Sequence, residues 1–173
     1  MTPTSRRHAG GSSRKLRAAN RTKSQSRAAP TTTNVTFTAT DASGNSSSCV
    51  ATVTVADTTP PTINMSVNPT FLWPPNHSLR PITATVAVAD ICDPSPFYAL
   101  TSITSNEPDN GLGDGDQPID IQNAAYGTPD LAFSLRAERG GIAVGRIYSV
   151  VYTASDHSGN TTPAGATVTV AHP

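Results

Sequence analysis

The sequence predicts an all-β fold, a sandwich of antiparallel sheets, and three observations predict it. Short apolar runs alternate with Thr and Ser at a period of two, and fifteen prolines and twelve glycines fall between them. No long apolar stripe of helical period occurs among the 173 residues. A hairpin-like stretch occurs twice: residues 35–55, VTFTATDASGNSSSCVATVTV, align without a gap with residues 150–170, VVYTASDHSGNTTPAGATVTV, with 12 of 21 positions identical. The offset of 115 residues is that of one sandwich domain.

Charge divides the chain. Residues 1–30 carry Arg6, Arg7, Arg14, Lys15, Arg17, Arg21, Lys23 and Arg27, and no acid. The remaining body has four basic residues against twelve acids, a net charge of −8. Too few apolar residues lie in 1–30 to build a core, so a disordered basic tail is expected there. It reads as a solvated tail, a nucleic-acid or membrane-surface arm, or a transit peptide. The acidic body itself would repel nucleic acid and attract divalent cations. No apolar run is long enough to cross a membrane, and no secretory signal is visible near Met1. Two cysteines, Cys49 and Cys92, do not make a disulfide scaffold.

Residues 31–58 hold the first hairpin. Phe37, Ala39, Ala51, Val53 and Val55 give its inward face, and Thr36, Thr38, Thr52 and Thr54 its outer one. A lone two-stranded hairpin is marginal in water, so this segment reads as the end of a module whose other strands lie elsewhere. Asp57-Thr58-Thr59-Pro60-Pro61 is a stiff spacer. Residues 59–173 form a nearly complete module. Strands are expected at 63–67; at 82–88, where Ile82, Ala84, Val86 and Val88 point in; at 98–104, where the alternation slips near Ser102 and a bulge is expected; and at 131–137. The repeated hairpin closes the module. About seven strands in about 110 residues make this an immunoglobulin-like sandwich.

Several of these stretches also resemble known families. Thr38-Ala39-Thr40-Asp41-x-Ser43-Gly44-Asn45, with Cys49 and the spacer, resembles the end of a hyalin repeat (HYR) domain. The second module is similar to the bacterial Ig-like modules found beside such repeats. The matching pieces are Leu72-Trp73-Pro74-Pro75-Asn76-His77, Cys92-Asp93-Pro94, Ser105-Asn106-Glu107-Pro108, the glycine-rich run from Gly111 to Asp116, Leu135-Arg136-Ala137-Glu138-Arg139, and Asp156-x-Ser158-Gly159-Asn160. The resemblance implies an extracellular or cell-surface sandwich used for adhesion or spacing, with neighbouring repeats and other extracellular proteins or glycans as partners. Such modules often pair cysteines across strands. Here Ala164 occupies the position equivalent to Cys49, so both thiols are expected outside disulfides.

One loop is a candidate metal site. Glu107, Asp109, Asp114 and Asp116 fall within ten residues, with Gly111, Gly113 and Gly115 between them. Calcium takes six to eight oxygen ligands, which such a loop supplies, although the order is not that of an EF-hand. The other reading is a solvated polar turn. Arg136 and Glu138 stand two apart and are expected on one outer face, as an ion pair or with an arginine reaching the acidic loop. Catalysis finds no support, because no histidine stands by a nucleophile motif, and a non-enzymatic role is expected. Trp73, Phe97, Tyr98 and Tyr126 raise a rival class, an accessory carbohydrate-binding module of a secreted hydrolase. A strip of exposed aromatics would favour it.

Overall fold

The computed structural model describes residues 30–110, 117–140 and 145–170. The basic tail lies outside them. Every described element is a strand. A first sheet is the isolated hairpin of β1 (Thr31–Thr40) and β2 (Ser46–Val55). The others form a sandwich. One sheet orders β3 (Thr62–Asn68), β5 (Leu79–Ala89), β8 (Ala132–Arg136) and β7 (Ile121–Gln122), all antiparallel. The facing sheet orders β4 (Phe71–Leu72), β10 (Thr161–Val170), β9 (Arg146–Ser155) and β6 (Phe97–Ser105). This is the ABED/CFG strand order of an immunoglobulin constant-type sandwich. The strand count is eight, because β4 and β7 are two-residue edge strands. One pairing, β4 on β10, is parallel.

Alternation positions the core. Ile82 and Ala84 of β5, Phe133 and Leu135 of β8, Val150 and Tyr152 of β9, and Val168 and Val170 of β10 are all buried between the sheets. Each of the Ile, Val, Leu and Phe side chains among them contributes about 1.5–3 kcal/mol on burial. The two core tyrosines keep their hydroxyls satisfied: Tyr148 donates to the Arg136 carbonyl at 2.9 Å and Tyr152 to the Asp130 carbonyl at 2.6 Å. Tyr98 packs edge-on against Tyr152. The expected bulge is present. Leu100 pairs with Tyr152 and Ser102 with Val151, so Thr101 is the extra residue. It switches the inward positions of β6 from even to odd, which lets both Leu100 and Ile103 reach the core.

The sequence repeat is a structural repeat. Val35 pairs with Ala51 in the first hairpin and Val150 with Ala166 in the second, the same register. Both turns are built alike. Asp41 Oδ1 accepts the Ser43 and Asn45 amides, and its Oδ2 accepts from Asn45 Nδ2. Asp156 binds the Asn160 amide and Nδ2 in the same way. Gly44 and Gly159 take φ of 89° and 91°, which only glycine adopts without strain. The difference is burial. Val150, Tyr152, Val168 and Val170 are sealed in the core, while their counterparts Val35, Phe37, Val53 and Val55 are exposed, Phe37 at 56%.

Candidate functional site

At one end of the sandwich, five segments bring charged groups together. The loop after β6 contributes Glu107, the segment before β7 Asp120, the end of β8 Arg136 and Glu138, the start of β9 Arg146, and the loop before β5 His77. Arg146 is wholly buried. Its guanidinium pairs closely with Asp120, reaches Glu107 Oε2 at 3.3 Å and Glu138 Oε1 at 3.8 Å, and donates to the Pro108 carbonyl at 3.1 Å. Its Nη1 also reaches the Tyr148 hydroxyl at 3.4 Å. Glu107 further accepts the Gly140 amide at 2.7 Å. Arg136 lies 3.4 Å from Asp120 and donates to the His77, Pro118 and Ile119 carbonyls. Glu138 accepts the Gln117 amide at 3.1 Å, and His77 Nδ1 stands 3.0 Å from its Oε2.

Three buried carboxylates thus meet two guanidiniums in a medium where an unpaired charge is costly. Between them these groups grip both ends of the loop that joins β6 to β7. Asp109 adds a further stitch, accepting the Ile119 amide at 2.9 Å and the Asp120 amide at 2.7 Å. Asn106 ties the same loop to β9 through the Ile147 amide and the Gly145 carbonyl.

The structure corrects one expectation. Arg136 and Glu138 do stand on one side, 3.9 Å apart as an ion pair, but that side is not open to solvent: Glu138 is fully buried and the Arg136 side chain is 12% exposed. Alternation continues beyond β8, since Leu135 and Ala137 both face the core and Ala137 still bonds Ser78 and His77 through the backbone, and the segment carrying Pro118 and Asp120 folds across the other side. The sharper reading takes Arg136 or Arg139 to reach the acidic loop at 107–117; Arg136 instead bonds the segment that follows it, at Pro118, Ile119 and Asp120, and the arginine on Glu107 is Arg146. Arg146, not singled out from the sequence, carries most of the contact. Its signal was scarcity: only Arg80, Arg136, Arg139 and Arg146 are basic between residues 31 and 173.

Of the four carboxylates read as calcium ligands, Glu107 and Asp109 are engaged with Arg146 and with backbone amides. Asp114 and Asp116 lie outside the described residues. Neither Cys49, on the exposed hairpin, nor Cys92, between β5 and β6, is in a disulfide. At the opposite end of the sandwich, Asp93 Oδ2 accepts both the His157 amide at 2.9 Å and His157 Nδ1 at 2.7 Å. That His157 side-chain bond, helped by the Ser95 amide, holds the Asp93 carboxyl below the usual range. Burial pushes Asp156 upward, but the Asn160 side chain and amide outweigh it and hold this carboxyl low as well.

The aromatics do not line up. Trp73, Phe97 and Tyr126 are about half exposed. Trp73 follows β4 at one edge of its sheet, while Phe97 opens β6 at the other edge and the other end. Tyr126 lies on the loop that bonds to β6 through Gly127 and Thr128. No family model, curated protein or solved structure matches the chain. What the fold defines is therefore a class, an all-β domain of sandwich type with a second, unburied hairpin.

Proposed function

We propose that the chain is a non-catalytic, extracellular immunoglobulin-like module for adhesion or domain spacing, part of a protein built of repeats. The finer reading places residues 31–58 as the end of an HYR-type module and 59–173 as a bacterial Ig-like module beside it. The observation that carries this is the duplicated hairpin. Two copies share register, turn chemistry and core-facing residues, yet only one is packed into a sandwich. An end-to-end series of such modules presents surfaces along a rod, and its partners are neighbouring repeats and extracellular protein or glycan ligands. The buried charge cluster fits this reading, because its guanidiniums and carboxylates are engaged in fixing a loop.

The test is a hairpin exchange. Residues 35–55 are placed in the positions of residues 150–170. If the two hairpins are the same part of one module type, the chimera folds cooperatively. It loses some stability, because Phe37 cannot supply the hydroxyl by which Tyr152 bonds Asp130. A chimera that shows no cooperative transition overturns the repeat reading. The carbohydrate-binding rival is tested on the intact chain by retardation in gels containing xylan, cellulose derivatives or chitin. No retardation is expected, and retardation abolished by Trp73→Ala would favour the rival.

A further inference from the structure

We propose that Asp57, Asp90 and Cys92 form a divalent metal site of the zinc type at the joint between the hairpin and the sandwich. One ligand atom from each residue lies within 4.8 Å of the other two. Asp57 comes from the spacer after β2. Asp90 follows β5, and Cys92 lies two residues on, so two ligands belong to the sandwich and one to the spacer.

Each aspartate has one oxygen fixed and one idle. Asp57 Oδ1 accepts the Thr59 amide at 2.9 Å. Asp90 Oδ1 accepts the Cys92 amide at 2.7 Å and the Asp93 amide at 2.6 Å. The Oδ2 atoms of both are shielded from solvent and accept no hydrogen bond. Buried carboxylate oxygens without donors are costly, and two such carboxylates side by side repel. A cation bound between them removes both penalties. The spacer is also held at this place independently of any ion, because Asn160 Nδ2 donates to the Asp57 carbonyl at 3.3 Å. A groove of about 350 Å³ that includes Thr59, Pro60 and Asp90 opens beside the cluster and gives an ion a way in.

The donor set selects the metal. Calcium and magnesium take oxygen ligands, and a thiolate does not suit them. Two carboxylates and one thiolate suit zinc, which binds carboxylate oxygen at about 2.0–2.2 Å and sulfur at about 2.3 Å in tetrahedral geometry. Three protein ligands leave the fourth position to water from the groove. On binding, the thiol proton goes to solvent. Because the ligands span the spacer and the sandwich, the ion would clamp the joint. That use rests on the repeat reading of the chain, whereas the site does not.

The test uses the full chain, kept reduced and stripped of metal. Zinc titrated by calorimetry is expected to bind one per chain, and Asp57→Asn, Asp90→Asn and Cys92→Ser are each expected to weaken it by about tenfold or more. Cobalt, used as a spectroscopic substitute, is expected to give a thiolate charge-transfer band that persists in Cys49→Ser and vanishes in Cys92→Ser. Absence of one-to-one binding, binding that survives all three substitutions, or a band that follows Cys49 overturns the site. Limited proteolysis reads the clamp separately. Zinc is expected to protect the bonds around Thr58 and Thr59, and binding without protection would discard the joint while leaving the site.

Discussion

Replacing Arg146 by Met removes the one guanidinium that touches all three buried carboxylates. Glu107 stands 3.3 Å from it, Glu138 3.8 Å, and Asp120 is its closest partner. Glu107 and Asp120 side chains are 6% and 3% exposed and Glu138 is fully buried, so water cannot take over the lost pairing. Removing one partner of a buried pair costs about 3–5 kcal/mol. The stability of small domains is about 5–15 kcal/mol, so the variant should stand near the edge of folding. At about 4 °C per kcal/mol for a domain of this size, the melting temperature should fall by about 12–20 °C. Urea unfolding of the variant should show a lower midpoint at unchanged slope. Combining Arg146→Met with Glu107→Gln and Asp120→Asn should recover much of the loss, because the two charges left inside, Arg136 and Glu138, stand 3.9 Å apart and pair with each other. A single variant within about 1 kcal/mol of the parent would refute the reasoning, and the cluster would then be solvated in solution.

Four further outcomes follow from the geometry. In metal-free buffer, deleting residues 1–58 should leave the sandwich transition almost unchanged, since β1 and β2 are exposed along their whole length; loss of cooperative unfolding would make the hairpin part of the sandwich. Stability tied to Asp93 and Asp156, whose carboxyls are held low, is fully present above the ordinary aspartate value of about 3.9 and is lost as pH falls through their folded values. Melting temperature should therefore drop in acid, and Asn160→Ala should lessen that drop; a flat acid profile of the parent would count against both networks. Burial pushes Tyr148 and Tyr152 up to about 12, so their contribution is complete below about pH 10 and lost as pH rises toward 12; an ultraviolet phenol titration of Tyr148→Phe and Tyr152→Phe should each lack part of the late step. Any calcium-dependent rise in melting temperature should vanish in Asp114→Asn with Asp116→Asn, because Glu107 and Asp109 are already bonded; a rise that survives would place the ion elsewhere.

The strands were legible because a period of two is written into them. Ile82, Ala84, Val86 and Val88 face inward as the alternation requires, and the slip in phase near Ser102 is the bulge at Thr101. β4 and β7 were not legible, since two residues have no period and their pairing is decided by what lies beside them. The charge cluster was half legible. Arg136, Glu138 and Glu107 stood out by type, but their meeting depends on segments separated by up to about seventy residues, from His77 to Arg146. The spacing put Arg136 and Glu138 on one side correctly, but the segment at Pro118 and Asp120 that covers that side has no local signal in the sequence.

The reason for charge at that end lies in the composition of the loop. Residues 106–117, NEPDNGLGDGDQ, contain a single large apolar side chain, Leu112, so hydrophobic burial cannot anchor them. What the loop offers is carboxylates and backbone carbonyls. A guanidinium is the side chain that binds both at once, through a rigid fork of five donors, and it stays charged when buried. Arg146 does this at the near end, through Glu107 and Pro108, and Arg136 at the far end, through Pro118, Ile119 and Asp120. An apolar replacement of equal volume would be as stable or more so, but it would not fix where the loop's two ends sit. In the variant that combines Arg146→Met with Glu107→Gln and Asp120→Asn, stability and loop order should therefore separate: the melting temperature recovers, while amide exchange at positions 119 and 120 becomes faster than in the parent. Unchanged exchange there would show that Asp109 alone holds the loop.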